Sequence, residues 1–380
     1  MKIVYPYPMH ISKGYTYMLS IIQFLNTLAN FIPVDLLCLD DKATLSKFLQ
    51  ENLGIKLSKN LNIIQISNKR FGIKSNKFFF IKGTINHLKN IKSERIILYT
   101  RDLKQMRLCI KKIKNLKRSV EFIFEAHQIL SKNYERDNNI KQSLRMRKLE
   151  SFVFSNVDCL LCITETLSQD IKKSFVDCSK NHLILPVGFD KKFLSTTHKN
   201  KKYDVLYAGN FSRWKGLDNL IEAISLIKQN KYKNISVVLI GADKSSKKYY
   251  IDKSKSLGLD NNIEILYRID HKKILQYFSE SIIGVVPTSS EGDGLLYTSP
   301  LKLYEYLGSG MKVVSSRLPS IESNIPDHIV YYSNPDDPES LASSIVLALE
   351  DQNFNYDKVK NFAKKYTWDK RAVKFLDFIS

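Results

Sequence analysis

The strongest constraint in this sequence is an alternation. Short, almost continuously apolar runs rich in Val, Ile and Leu recur along it, separated by segments whose apolar residues fall at helical spacing. "KIVYPY" is followed by a helical pattern over 14–30, "VDLLCL" by one near 42–52, and "LNIIQIS" by a long basic stretch. Next come "RIILYT" with a helix over 103–116, "VEFIFEA" with 140–155, "DCLLCIT" with 165–176, and "HLILP". Strands without polar alternation are buried on both faces, and intervening helices supply the cover, so the pattern predicts a doubly wound parallel sheet. After "VGFDKKFLSTTHKNKK", a polar, Lys-rich connection, the alternation restarts. "YDVLYAG", "ISVVLIG", "IEILY", "IIGVV" and "MKVVSS" alternate with helices over 217–229, 245–257, 271–279 and a short one over 299–307. At 380 residues the chain exceeds a single core. The predicted class is α/β, with two Rossmann-like domains spanning 1–190 and 203–360.

Other features narrow the class. The five cysteines show no disulfide spacing, and Cys159 and Cys162, three apart in an expected strand, point to opposite faces rather than forming a redox or zinc pair. A reducing cytoplasm fits. The apolar stretch Met18 to Ile32 is interrupted by Gln23, Asn26, Thr27 and Asn30, and its apolar residues fall at helical spacing, so it reads as a packed helix and not a signal peptide. No run reaches membrane-spanning length.

Net charge is +21 and uneven: residues 1–200 carry 34 Lys/Arg against 16 Asp/Glu, residues 201–380 carry 25 against 22. The first half favours an anionic partner. In "LKQMRLCIKKIKNLKR", Leu103, Met106, Cys109, Ile110, Ile113 and Leu116 form one stripe, while Lys104, Arg107, Lys111, Lys112, Lys114, Lys117 and Arg118 cover the rest. The stripe is what a sheet-covering helix requires, and the basic remainder suits an anionic membrane surface.

Candidate chemistry gathers in the second half. In "SPLKLYEYLGSGMKVV", Ser299 is expected to cap a two-turn helix with Pro300 at its first position and Gly308 or Gly310 as its left-handed stop. Lys302 and Glu305, three apart, share a face. A lysine near a helix N-terminus suits a phosphate, and a carboxylate with two acceptor oxygens suits a vicinal diol, which together point to a nucleotide; a solvated surface pair is the alternative. "YAGNFSRWKGLDNLIEA" places Arg213 and Lys215 between Gly209, at a strand end, and Gly216, at a helix start. Both cations are thus expected at the sheet's carboxyl edge, where ligands bind open parallel sheets. His127, in "FEAHQ", also follows a strand. "EGD" at 291–293 resembles an acidic metal pair, although its glycines equally permit close backbone approach to a ligand.

Seven stretches, in order, resemble the family-four retaining glycosyltransferases of the GT-B fold (glycosyl transferases group 1): "EFIFEAHQI", "CITETLSQDI", "ILPVGFD", "DVLYAGNFSRWKGLDNLIEAI", "VVPTSSEGDG", "SPLKLYEYLGSGMKVVSS" and "YTWDKRAVKFLDFI". The resemblance implies that Lys215 binds the donor diphosphate, Glu305 the nucleotide ribose, and His127 the donor sugar. It implies a metal-independent transfer without cofactor from a nucleotide-diphosphate sugar to a sugar or lipid-linked oligosaccharide acceptor, as in bacterial surface polysaccharide, lipopolysaccharide or capsule biosynthesis. A cytoplasmic protein peripheral to the inner face of the plasma membrane is expected, with an acceptor-binding first domain and a last helix within 361–380 crossing back to it.

The chain departs from the family pattern at three places. Asn210 stands where Arg is usual, with Arg213 as the substitute. Eight residues before Glu305, where a second glutamate is usual, stands Tyr297; Glu291 takes that role if residues 295–300 loop out. The usual Gly-Gly near the start is Lys13-Gly14. Two other functions compete. A sugar-nucleotide epimerase on the same fold would need no acceptor. A nucleic-acid-binding protein would account for the charge and for the aromatic and basic interleaving of "NKRFGIKSNKFFFIK", but no nucleic-acid motif accompanies it and no nucleic-acid partner is expected.

Overall fold

The computed structural model describes residues 1–13, 16–67, 69–70, 73–74, 78–113, 119–198, 200–291 and 294–380. The chain divides into two compact units, Met1–Pro186 with Arg371–Ser380, and Val187–Lys370.

In chain order the first unit carries β1 (Lys2–Pro6), β2 (Val34–Cys38), β3 (Leu61–Gln65), the short antiparallel pair β4 (Lys69–Arg70) and β5 (Ile73–Lys74), β6 (Ile96–Thr100), β7 (Val120–Ala126), β8 (Cys159–Cys162) and β9 (His182–Ile184). All but the β4–β5 pair join one parallel sheet in the order β3-β2-β1-β6-β7-β8-β9. The seven apolar runs of the first half are these seven strands. β2, β6 and β8 are buried along their whole length, as strands covered on both faces must be. The apolar stretch after β1 forms the helix Thr16–Leu28 and buries Met18, Ile21, Ile22, Leu25 and Leu28, each fully buried Leu or Ile contributing about 1.5–3 kcal/mol. Cys159 and Cys162 are free and buried, and burial pushes the Cys162 thiol up to about 12.

In the first unit two described helices lie where the sequence predicts none. Phe78–Asn90 falls within the basic stretch and buries Phe80 and Leu88, and Leu130–Arg136 follows β7. Its short length and polar sequence hide the second. Its first-turn amides from Leu130 and Ser131 donate to the buried Glu150 carboxylate.

The second unit carries β10 (Tyr203–Ala208), β11 (Val237–Ala242), β12 (Ile263–Tyr267), β13 (Ser281–Val286), β14 (Lys312–Ser316) and β15 (Tyr331–Ser333), all parallel in the order β12-β11-β10-β13-β14-β15. β15 was not expected, because three residues reading Tyr-Tyr-Ser give no apolar run. The period of two along each strand builds two cores. Val205 and Tyr207 of β10 face the helices Leu217–Asn230 and Pro338–Glu350. Leu206 and Ala208 face Phe189, Phe193, Phe278 and the helix Leu301–Gly308.

Candidate functional site

β10 lies between β11 and β13, so the chain leaves β10 toward one face, into Leu217–Asn230, and leaves β13 toward the other, into Leu301–Gly308. Loops that diverge from neighbouring strands leave a crevice at their carboxyl ends. The loops here are also locked together. Gly216 has φ 70°, and a Cβ on it would lie 1.7 Å from the Pro287 carbonyl oxygen, so only glycine lets the two backbones approach this closely. The Ser289 amide donates to the Trp214 carbonyl at 2.9 Å. Asp336, itself at φ 58°, accepts from the Ser290 amide at 2.7 Å and from Asn219 Nδ2 at 3.2 Å, tying the β13 loop to the helix that follows β10.

The single turn Arg213–Lys215 occupies this junction. Lys215 is half-buried, with Nζ 3.7 Å from the centre of the Trp214 ring, and no carboxylate among the described residues pairs with it. Asp218, in the first turn of the next helix, is engaged by Tyr249, Tyr250 and Lys253 instead. Burial pushes the Lys215 ammonium down to about 8. A cation desolvated over a ring and left without a counter-charge is poised for an anionic ligand. Arg213 is exposed, and so is Asn210, whose carbonyl accepts from the Tyr207 hydroxyl at 2.6 Å.

Glu305 is buried, its side chain 2% exposed, and Lys302 Nζ lies 2.5 Å from its Oε2. The solvated-pair alternative therefore fails: a carboxylate this deep is held for its charge or its shape. The next residue, Tyr306, accepts at its hydroxyl from the Ala208 amide at 2.8 Å, which seats the helix against the carboxyl end of β10. The expected Ser299 cap is corrected. Pro300 holds the cap position in an extended conformation, the helix begins at Leu301 without a side-chain cap, and Ser299 Oγ accepts from the Val187 amide at 3.2 Å. The residue before a proline is disfavoured in helical geometry, which keeps Ser299 out of the helix. Gly310, at φ 76°, is the left-handed stop, while Gly308 leaves room for the Phe189 ring. Tyr297 ends the short helix Gly294–Tyr297 and is buried; Glu291 is exposed, its amide donating to Ser289 Oγ at 3.0 Å. Gly14, Gly292 and Asp293 lie outside the described residues.

His127 belongs to the first unit, immediately after β7. Its Nε2 is 2.8 Å from Glu125 Oε1, and the Arg371 Nη2 donates to the same oxygen at 3.0 Å. Burial alone would raise the Glu125 carboxyl, but Arg371 and His127 outweigh it and hold it at about 2. Burial lowers the His127 pKa despite the carboxylate. Sequence reasoning missed Glu125 and Arg371. The available signal was a glutamate inside the apolar run "VEFIFEA", two residues before His127 and so on the same face of the strand direction. Among the described residues no cluster of His, Cys, Asp or Glu could hold a metal, and no helix is long and apolar enough to cross a membrane.

Comparison with known proteins bears on the family and the fold. Residues 189–366, nearly the whole second unit, match the family model described as Glycosyl transferases group 1. An uncharacterized glycosyltransferase of Methanocaldococcus jannaschii is 23% identical over 247 residues, covering 60% of this chain and 59% of its own. A phosphatidylinositol N-acetylglucosaminyltransferase component of Arabidopsis thaliana is 23% identical over 232 residues, covering 60% and 50%. The chain thus spans only between half and three fifths of the length of these curated relatives. Among solved structures, sucrose-phosphate synthase from Thermosynechococcus elongatus superposes with a TM-score of 0.73 at 15% identity, covering 100% of this chain and 98% of that one. HepE of Anabaena, in complex with UDP, gives 0.71 at 14% identity, covering 100% and 99%. At such identities the likeness is one of fold, and the fold is GT-B, with two parallel-sheet α/β domains. Over residues 189–366 the second unit is thus similar to the glycosyl transferases group 1 family.

Proposed function

We propose that the chain is a retaining glycosyltransferase that moves a sugar from a nucleotide-diphosphate sugar to a hydroxyl of a sugar or lipid-linked oligosaccharide, in the building of a bacterial surface polysaccharide. One observation carries the reading: Lys215, with no carboxylate partner among the described residues, stands where the loops after β10 and β13 are locked together at the switch point of the second sheet. Support comes from HepE of Anabaena, solved with UDP-glucose, and from a pneumococcal O-GlcNAc transferase solved with UDP and GlcNAc.

In this reading Lys215 and Arg213 hold the diphosphate and Glu305 accepts from the ribose hydroxyls. Glu291 or Tyr297 meets the sugar. The bond between the anomeric carbon and the β-phosphate oxygen breaks, the acceptor oxygen bonds to that carbon on the same face, and its proton passes to the leaving phosphate. Fixed cations stabilise the departing charge in place of a metal. Activity is therefore expected to survive excess EDTA, and loss restored by manganese or magnesium would overturn the metal-free reading.

A thermal-shift panel of UDP-, GDP- and ADP-sugars tests the donor site, since a ligand at a hundred times its Kd adds about 2.7 kcal/mol of stability. One base is expected to stabilise the protein and none would sink the proposal. Product analysis then separates transfer from epimerisation: an epimerase converts its nucleotide sugar without any acceptor, and the anomeric configuration of a transferred sugar reports retention.

The acceptor partner is read from the first unit, and with it the placement at the inner face of the plasma membrane. The helix Leu103–Ile113 buries Leu103, Met106, Cys109, Ile110 and Ile113 and leaves Lys104, Arg107, Lys111 and Lys112 exposed. Arg107 and Lys111 lie over the Phe152 ring of the neighbouring helix Ile140–Asn156, which exposes Lys141, Arg145 and Lys148 beside Ile140 and Leu144. Such a face suits anionic lipid.

A further inference from the structure

Glu125 sits in β7 among buried Phe122, Ile123, Phe124 and Ala126, and is itself 7% exposed. A carboxylate there costs several kcal/mol unless it is paired. Its partners are Arg371 and His127, both on Oε1. Arg371 is fixed from several directions. It is 4% exposed, its Nε donates to the Pro186 carbonyl at 2.9 Å, its Nη2 also points to the Leu185 carbonyl at 3.4 Å, and its guanidinium lies 4.0 Å from the centre of the Phe24 ring. With that cation immobile beside it, Glu125 is ionised, and an ionised carboxylate only accepts hydrogen bonds. The proton shared with His127 therefore sits on Nε2. In a neutral ring the other nitrogen, Nδ1, then carries a lone pair, and among the described residues Nδ1 has no hydrogen-bond partner while the side chain is 32% exposed.

We propose that Glu125 and Arg371 are positioning residues that hold His127 in the Nε2–H tautomer, leaving Nδ1 as a hydrogen-bond acceptor for a hydroxyl of the ligand. Burial holds the ring's pKa below its ordinary value against the raising effect of Glu125, with the Arg101 and Arg371 guanidiniums adding to the lowering, which favours the neutral ring. A neutral acceptor selects a donor such as a sugar hydroxyl, whereas an imidazolium would favour a phosphate. The proposal rests on the glycosyltransferase reading only for the identity of that hydroxyl.

The test is nitrogen-15 NMR of the full chain labelled at histidine, with His127→Gln assigning the signal among the seven histidines. At pH 7.5 and without ligand, His127 is expected as the neutral Nε2–H tautomer. In Glu125→Gln, Arg371 takes the amide oxygen, the amide NH2 turns to the ring, and the tautomer is expected to switch to Nδ1–H. An Nδ1–H or protonated ring in the unmodified protein overturns the proposal, as does an Nε2–H ring that persists in Glu125→Gln. Should Glu125→Gln fail to fold, the spectrum of the unmodified chain still decides. A kinetic arm uses UDP-glucose, or whichever nucleotide sugar the thermal-shift panel selects. Glu125→Gln is expected to lower kcat about tenfold or more, the loss of one good hydrogen bond, with the KM for the nucleotide sugar within about twofold. Unchanged kcat overturns the link to the reaction. The NMR arm needs no substrate, so its failure and that of the glycosyltransferase reading are distinguishable.

Discussion

Gly216 approaches Pro287 so closely that a Cβ would fall 1.7 Å from the Pro287 carbonyl oxygen. The contact joins the Lys215 turn to the loop after β13, and it offers an internal control. Gly258 has nearly the same backbone angle, φ 68° against 70°, but nothing lies within 4 Å of its missing Cβ. Gly258→Ala is expected to cost only left-handed strain, about 1–2 kcal/mol. Gly216→Ala adds the clash, which must be relieved by moving the Lys215 turn, and is expected to cost more stability and to abolish stabilisation by nucleotide sugar. Thermal melts of both variants, with and without ligand, check this; equal losses in the two would mean that the junction carries no special constraint.

Lys215→Ala and Glu305→Ala are each expected to remove most activity while the fold survives. A lost charge-assisted contact is worth roughly 1.5–3 kcal/mol, or about one to two decades in rate or affinity. Among the described residues Lys215 has no ion pair, so removing it orphans none of their carboxylates. Glu305→Ala strands Lys302, which is three-quarters buried, and should lower Tm as well. Near-normal turnover in either variant would remove that residue from the donor site.

The alternation of runs and helical segments made both sheets legible, because a strand covered on both faces has no option but continuous apolarity. The parts that escaped are those held by long-range polar contacts. Helix Leu130–Arg136 depends on Glu150, fourteen residues beyond its end, and Ser299 turned out to serve Val187 instead of its own helix. Lys215 and Glu305 of the second unit, and His127 of the first, stood out through their places at strand ends and a helix face. Arg371 did not, since its partner Glu125 is 246 residues away and no local pattern joins them.

The Lys215 ammonium gives a pH signature. Burial places its pKa at about 8 in the folded chain, below the ordinary 10.5. Between those values the unfolded chain binds more protons than the folded one, so this group's contribution to stability rises with pH there, and its cost is fully present below about 8. A diphosphate binds the protonated form better. Affinity for the nucleoside diphosphate is therefore expected to fall as pH rises from 7 through 8 to 9.5, and to be flatter in Lys215→Met. Calorimetric titration across that range checks both; parallel profiles in the two proteins would show that Lys215 does not face the phosphates.

The basic face of the first unit gives the last prediction. The apolar stripe of helix Leu103–Ile113 is spent on the sheet, so attraction to a surface must come from the exposed Lys104, Arg107, Lys111 and Lys112, with Lys141, Arg145 and Lys148 beside them. Each basic residue near an anionic leaflet contributes about 1 kcal/mol, within a Debye length of about 10 Å at 0.1 M salt. Ile140 and Leu144, 55% and 57% exposed on the same helix as Lys141 and Arg145, add shallow insertion that salt does not screen. Co-sedimentation is expected with anionic but not zwitterionic vesicles. Arg107, Lys111 and Lys112 changed together to Glu should abolish it, while Ile140 and Leu144 changed to Ser should weaken it and leave a steeper salt dependence. Duplex DNA as competitor separates the two anionic partners that the charge allows: a surface built for lipid keeps its vesicles when the competitor is present, because DNA offers no apolar layer to Ile140 and Leu144. If DNA displaces the vesicles completely, or the triple Glu variant binds as before, the face is not a membrane dock and the acceptor need not be lipid-linked.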